Sequence, residues 1–423
     1  MKKQSEKSLW RKTRSLFNTI HLWLGVGSGL IIFVVCLTGT IYTFSSEIQK
    51  FTDSHLHTIE LPVNATRLPA EKVIDKVLAS VKGGVVQSFV IPSDARSPYQ
   101  VIVGNADKGE GQGDKKGGGE KKADLKNGEQ KKAPAGRARG TTYFVNPYTG
   151  DILGTGETSS SEFFMVMFRM HRWLLLDMAI GRPIVGVATL IFVVMIITGM
   201  VIWFPKKVKN WKQGLKIKTN ANWKRTNHDL HNALGLYASI FLLVMALTGL
   251  TWSFQWYKEG FVNIFSSKAK DAKPAELFST PGAASAKAPI ASYVSAVENV
   301  LPYRGDYRIN LPADSAGVVT VMKTGTGFFA TSVGDRITLD QYTSNVLATD
   351  LFAEKSFGDQ VVASIKAIHI GSFAGTFSKI LYFITCLIGT SLPVTGVTIW
   401  INKLRKDRDV RQRVGIAAQA IAR

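Results

Sequence analysis

The chain is predicted to be an α-helical membrane protein, with four transmembrane helices in a two-fold internal repeat and two periplasmic α+β domains. Three observations predict this. Four apolar stretches are long enough to span a bilayer, basic residues gather on alternate connections, and one set of motifs recurs at a fixed offset. Crossing a membrane takes roughly 20 residues at about 1.5 Å each. Stretches 21–44, 183–204, 232–256 and 380–401 meet that length.

The formal charge of +21 over 423 residues raises nucleic acid as a partner, but its placement argues against one. Lys2, Lys3, Lys7, Arg11, Lys12 and Arg14 precede the first span. Eight more basic residues, Lys206 to Arg225, lie between the second and third, and seven, Lys403 to Arg423, follow the fourth. These clusters hold 21 basic residues against three acids and account for +18 of the net charge. Under the positive-inside rule they are cytoplasmic, as are both termini. The segments 45–165 and 257–365 then lie outside, which in a bacterium places the chain in the inner membrane, with the lipid bilayer as its first partner and no nucleic acid.

The elements follow in order. A basic tail, 1–20, leads into the first span. That span is longer than a signal-peptide core, lacks a small-x-small cleavage site and has a twin in mid-chain, so it reads as a membrane helix. Segment 45–165 is expected to form the first domain. Val73, Val77 and Val81 give a helix over 70–81, and alternation gives strands at 87–91 and 99–103. The Lys/Gly-rich run 104–140 has no periodicity and reads as a disordered insertion. A turn at Asn146-Pro147-Tyr148-Thr149-Gly150 and a short strand close the domain. Segment 166–204 combines an amphipathic interfacial stretch with the second span. A basic loop, 205–230, reaches the third span, 231–256. Segment 257–365 repeats the first domain, with a helix over 290–300, strands near 307–311, 318–323 and 328–332, and a turn at Tyr342-Thr343. Segment 366–401 carries an external lead-in and the fourth span, and 402–423 is a second basic tail.

The repeat is visible residue by residue. With His21 set on His231, Gly25 falls on Gly235 and Leu37-Thr38-Gly39 on Leu247-Thr248-Gly249. Thr198-Gly199 and Trp203 likewise match Thr395-Gly396 and Trp400, each set downstream of a histidine, His171 or His369. Both halves enter the membrane from the same side, as in a parallel repeat.

The chain has seven histidines, and four of them occupy matched positions. His21 and His231 sit at the cytoplasmic ends of spans, His171 and His369 at the external ends. A lone histidine at a membrane end snorkels or caps. Four of them divide into an inner and an outer pair facing across the bundle, which is how a helical bundle holds haem iron. The face of His21 carries Gly25, Ser28, Gly29, Cys36 and Gly39; that of His231 carries Gly235, Ala238, Ser239, Ala246 and Gly249. Such small-residue faces suit close helix packing and a flat macrocycle equally. Arg172 and Arg182 flank His171 within reach of haem propionates, as Lys366 and Lys379 flank His369.

His228, one turn before His231, is a second candidate for that ligand, but its counterpart is Asn18. His55 and His57 share one side of an extended stretch and read as solvated. Cys36 and Cys386 fall mid-span and read as packing residues rather than a disulfide. Gly25-Val26-Gly27-Ser28-Gly29 follows no strand, so it is no dinucleotide loop. No phosphate loop, zinc-protease motif or serine elbow is present, and no catalytic residue is nominated. The electron donor is therefore another protein or a quinol.

His21-x3-Gly25 with Thr38-Gly39, His171-Arg172-Trp173, Thr198-Gly199-x3-Trp203, Asp229-Leu230-His231-x3-Gly235, His369-Ile370-Gly371, Pro393-x-Thr395-Gly396 and the Asn146 turn together resemble the PepSY-associated transmembrane helix family of bacterial inner-membrane proteins. The resemblance covers nearly the whole chain except the Lys/Gly insertion and the tails. It implies a di-haem ferric-siderophore reductase of iron acquisition, with four spans and two periplasmic PepSY domains. His21, His171, His231 and His369 would hold two b-type haems. Electrons would pass from a quinol or cytoplasmic reductase to a ferric siderophore or another periplasmic acceptor. Reduction would help uptake because hard oxygen ligands hold Fe(III) far more tightly than Fe(II). One departure is Tyr342-Thr343-Ser344, where the first half has Tyr148-Thr149-Gly150. Two other readings are open: a non-enzymatic PepSY binding or regulatory module for a periplasmic partner, and a metal transporter with a histidine relay.

Overall fold

The computed structural model describes residues 2–63, 66–81, 83–105, 140–205, 211–266, 276–281 and 286–421. The Lys/Gly insertion lies almost wholly outside the described residues. In chain order, α1 (Lys2–Thr43) is followed by short helices α2 (Ser45–Thr52) and α3 (Ser54–His57), then α4 (Ala70–Ser80). Strands β1 (Gly84–Ile91), β2 (Tyr99–Asn105), β3 (Thr141–Val145) and β4 (Ile152–Thr155) come next. After α5 (Ser159–Trp173) and α6 (Met178–Trp203), the second half runs through α7 (Trp211–Gly214), α8 (Trp223–Ser253), α9 (Gln255–Phe265) and α10 (Ile290–Val300). Strands β5 (Gly305–Asn310), β6 (Val319–Gly325), β7 (Asp335–Leu339) and β8 (Val346–Asp350) precede α11 (Phe357–Ala363), α12 (Ile365–Ile370) and α13 (Gly375–Ile421).

Four helices are long and apolar enough to cross a membrane: Lys12–Thr43, Met178–Trp203, Trp223–Ser253 and Gly375–Gln412. The chain is a multi-pass membrane protein. Helices α1 and α13 run beyond the apolar stretches because their basic flanks, free of glycine and proline near the membrane, continue the helical hydrogen bonding. Helix α1 packs against α6 and α13, and α8 packs against the same two, so α1 and α8 face each other across the bundle. Cys36 and Cys386 are free thiols in mid-bundle. A Cβ on Gly389 would stand 3.3 Å from Cys36 Sγ, so the small cysteine fits a close helix crossing.

The two segments expected to form separate domains share one eight-stranded antiparallel sheet, ordered β4-β3-β2-β1-β5-β6-β7-β8. The joint is β1 on β5, with Phe89 opposite Ile309 and Ile91 opposite Tyr307. Pairing two edge strands satisfies backbone groups that each half would otherwise leave open. Helices α4 and α10 cover one face. Val73, Val77, Tyr293 and Val297 pack there on Phe89, Val101, Ile309, Val321 and Ile337 as a single core. A carboxylate crosses the joint as well: Glu71 on α4 accepts the Ile290 backbone N–H at 2.6 Å, at the start of α10.

Lys323 on β6 is fully buried in this layer. Its Nζ donates to Glu298 Oε2 at 2.5 Å and to the Leu301 carbonyl at 2.6 Å. It also lies 4.8 Å from the ring centres of both Tyr303 and Tyr307, a cation–π contact on two sides. Hydrogen bonds from Lys323 and from the Tyr307 hydroxyl hold the Glu298 carboxyl below its usual range.

Helices over 70–80 and 290–300 match the expectation closely, but two local readings need correction. Residues 328–332 form no strand. Their turn docks on the start of α13, where the Thr376 N–H donates to the Phe328 carbonyl at 2.8 Å and the rings of Phe329 and Phe377 approach to 5.9 Å. The strand that follows β6 is β7, from Asp335. His55 and His57 sit on helix α3, not an extended stretch, and the His57 ring packs edge-on to Phe144 at 4.7 Å.

The two matched turns are alike. Asn146 Oδ1 accepts the N–H of Tyr148 at 2.9 Å, and Asp340 Oδ1 accepts that of Tyr342 at 2.8 Å. Gly150 has φ +75°, and Ser344 takes the same left-handed backbone with φ +61°. The turn has kept its shape although the glycine is gone, and the Ser344 hydroxyl is buried without a hydrogen-bond partner. Ser344→Gly is expected to stabilise the sheet layer by about 1 kcal/mol, read as slower amide exchange in β7 and β8. Faster exchange would contradict the strain argument.

Candidate functional site

His21 lies on α1 and His231 on α8, across the bundle from each other. Their ring centres are 6.4 Å apart with planes at 82°. At the sheet end, His171 on α5 and His369 on α12 stand 6.2 Å apart with planes at 66°. The structure thus brings together both expected pairs, and each pair takes one histidine from each half.

The local sequence explains how these side chains reach their places. Helix α5 starts from a capping box at Thr158 and Ser161, and Asp53 at the α2–α3 junction accepts the Thr158 hydroxyl at 2.8 Å. Hydrogen bonds from Ser160 and Thr158 hold the Asp53 carboxyl below its usual range. The helix ends just past His171, where Leu174 (φ +56°) and Leu175 (φ +59°) adopt left-handed backbone that glycine usually takes. This break lets α5 pack against α1 and α6 before Asp177 caps α6. Helix α12 ends at Gly371, φ +75°, where a Cβ would meet the Tyr382 ring at 2.5 Å.

Nδ1 of each of these four histidines is already engaged by the neighbouring span. His21 Nδ1–H donates to the Met195 carbonyl at 3.1 Å, with Thr198 Oγ1 at 3.0 Å. His171 donates to the Val35 carbonyl at 2.8 Å, with Thr38 Oγ1 at 3.5 Å. His231 donates to Thr395 Oγ1 at 2.9 Å and towards the Leu392 carbonyl. His369 donates to the Met245 carbonyl at 2.9 Å, with Thr248 Oγ1 at 3.1 Å. Carbonyl oxygens only accept, so the proton sits on Nδ1 and the nitrogen left for a metal is Nε2.

Each threonine is followed by a glycine that meets the same ring. A Cβ would stand 3.3 Å from His21 Cε1 at Gly199, 3.1 Å from His171 Cε1 at Gly39, 3.2 Å from His231 Cε1 at Gly396 and 3.0 Å from His369 Cε1 at Gly249. The repeated Thr-Gly pairs were visible in the sequence, but not which histidine each one faces.

A cavity of about 600 Å³ surrounds the first pair. Gly25, Gly29, Gly235 and Ser239 open it on the α1 and α8 sides, as the small-residue faces anticipated, whereas Gly39 and Gly249 serve the second pair. Asn18, His228 and Lys403 stand at its basic end, and no carboxylate lines it among the described residues. His228 is half exposed and points towards Asp229, 3.7 Å away, while His231 faces His21.

Around the second pair, Trp252 packs on His369 at 5.1 Å. Arg182 Nε donates to the Trp252 carbonyl at 2.6 Å, and Arg172 lies over the Phe168 and Trp173 rings at 5.4 and 5.5 Å. Both guanidiniums remain near the pair, with no carboxylate partner among the described residues. Lys379 is instead paired with Glu47 at 2.5 Å. Among the described residues no three His, Cys, Asp or Glu side chains cluster as ligands for a bare ion.

No curated protein matches the chain. A family described as the PepSY-associated TM region matches residues 19–403, a stretch that contains all four paired histidines and the whole sheet, and the chain belongs to that family.

Proposed function

We propose that this chain is a di-haem oxidoreductase of the bacterial inner membrane. Both termini are cytoplasmic, the sheet is periplasmic, and single electrons pass to a ferric chelate such as a ferric siderophore. The observation that carries this reading is the pair of facing histidines at each end of the bundle, with Nδ1 engaged and Nε2 available in all four. Two imidazoles on opposite sides of one iron, with about 2 Å to each nitrogen and about 1.1 Å more to each ring centre, place those centres about 6.2 Å apart. The separations here are 6.4 and 6.2 Å. Two protein ligands per site suit a metal whose other four come from a macrocycle; a bare ion needs three or four from the protein.

His21 and His231 would hold one haem, and His171 and His369 the other, with Arg172 and Arg182 placed for the propionates of the second. When bound, each haem supplies a one-electron Fe(III)/Fe(II) couple. Held by two imidazoles each, the haems would have no open coordination position, which would favour electron transfer over oxygen chemistry. The Nδ1 hydrogen bonds to carbonyls fix tautomer and orientation and make Nε2 a better donor. Ile196 and Leu242 give the first pair's cavity apolar walls and, with Ala238, form a buried apolar cluster. The matched contacts in the two halves support the two-fold repeat.

The test is a reduced-minus-oxidised visible spectrum of the detergent-purified protein, with a pyridine haemochrome count. Two b-type haems per chain, reoxidised by a ferric chelate, is the expected result. No haem after expression with ample haem supply would overturn the reading and leave a PepSY binding module for a periplasmic partner.

A further inference from the structure

The Thr-Gly pairs control more than the distance between rings. An imidazole bound to a metal through Nε2 alone turns easily about that bond, so the angle between two such rings is undetermined unless the protein sets it. Here each ring is gripped twice. A carbonyl or hydroxyl oxygen takes the Nδ1 proton, and a glycine lies against Cε1 on the same edge.

The threonines are pre-set as acceptors, because their hydroxyl protons are already donated to carbonyls of their own helix. Thr38 donates to Val34 at 2.7 Å, Thr248 to Val244 at 2.7 Å, Thr395 to Ser391 at 3.0 Å and Thr198 to Met195 at 3.0 Å. Their lone pairs are left for the histidines. At all four glycines a Cβ would come within 3.0–3.3 Å of the ring, so any larger residue would have to displace it. The same holding pattern recurs in the two halves. His21 on α1 is held by α6, and His171 on α5 by α1; His231 on α8 is held by α13, and His369 on α12 by α8.

We infer that the four pairs Thr38-Gly39, Thr198-Gly199, Thr248-Gly249 and Thr395-Gly396 are positioning elements that hold the imidazole planes of each histidine pair crossed, at 82° near the basic ends and 66° near the sheet. This rests on the haem reading above and assigns it four residue pairs that the histidines alone do not identify. Low-spin ferric iron between crossed imidazole planes has a nearly degenerate ground state, and its electron paramagnetic resonance shows one very large g value. Parallel planes give an ordinary rhombic spectrum. Ring orientation is therefore readable apart from activity.

The experiment uses the oxidised full-length protein in detergent, with its haem count fixed beforehand by pyridine haemochrome. The wild type is expected to show two low-spin signals of the large-g type, the more extreme from the His21–His231 site. Thr198→Val removes one acceptor while keeping shape. It should move that signal towards the rhombic type at unchanged haem count and leave the other signal in place. Thr198→Ser should restore it, and Gly199→Ala, which presses on Cε1, should shift the same signal. Two ordinary rhombic signals from a two-haem wild type would overturn the inference alone, as would a Thr198→Val spectrum identical to wild type. A wild type without haem would overturn the functional reading, and this inference with it, at the haemochrome step.

Discussion

His231→Ala is expected to reduce the number of low-spin bis-imidazole haems from two to one. The variant removes one side of a pair whose ring centres are 6.4 Å apart and leaves His171 and His369 untouched at the other end of the bundle. Among the described residues, the one other histidine lining this cavity is His228. His228 is half exposed and turned towards Asp229. On the haem reading the two residues serve one site, so His21→Ala should give the same loss, and the double variant little more. His228→Ala should retain both haems. The measurement is low-temperature optical spectroscopy with a haemochrome count, since an iron left with one axial ligand becomes high-spin or is lost. Two unchanged low-spin haems in His231→Ala would remove that residue from the site.

The second large effect concerns the sheet. Glu298→Ala is expected to destabilise the layer around β5 and β6 by about 3 kcal/mol, because it strands a buried ammonium. Lys323 is completely buried, whereas the Glu298 side chain is half exposed, so water can reach the carboxylate but not the lysine. Hydrogen exchange of β5 and β6 amides in the full chain should then quicken by about a hundredfold. Glu60→Ala, at an exposed position, is the control.

The pH dependence has a definite sign. The Glu298 carboxyl is held below its usual range by Lys323 and Tyr307. Its contribution is therefore complete above the ordinary carboxylate range and is lost as pH falls through the lowered value. Glu298→Gln has no such contribution to lose, so its exchange rates should flatten on the acid side. Equal acid sensitivity in both proteins would place the sensitive group elsewhere.

What the sequence revealed, and what it hid, follows from the range of the interactions. The spans could be read because hydropathy is local, and the helix over 290–300 because Ile290, Tyr293 and Val297 keep helical spacing. The histidines could be paired because the repeat supplied the long-range information that single positions lack. Phe328 and Phe329 misled for the opposite reason. An apolar run between glycines resembles a strand locally, but these residues belong against Phe377 and the start of α13, a contact that no local pattern encodes. The β1–β5 joint was hidden for the same reason, since two edge strands in separate segments carry no mark that they meet. The role of Thr198 could not be read either: its partner His21 lies 177 positions away on another helix.

The division of each histidine pair between halves has one more consequence. Neither half owns a complete histidine pair, and neither owns the middle of the sheet. The protein is in effect a dimer whose two subunits have been tied end to end. A true homodimer must mutate both copies of a residue together. A tethered one can change a single copy, and this chain has done so. Buried Asp229, bound to Arg225 just before His231, stands where the first half has Thr19, and Trp252 against His369 stands where it has Tyr42. Tethering thus lets the two histidines of one pair sit in different electrostatic surroundings, a freedom that strict symmetry would forbid.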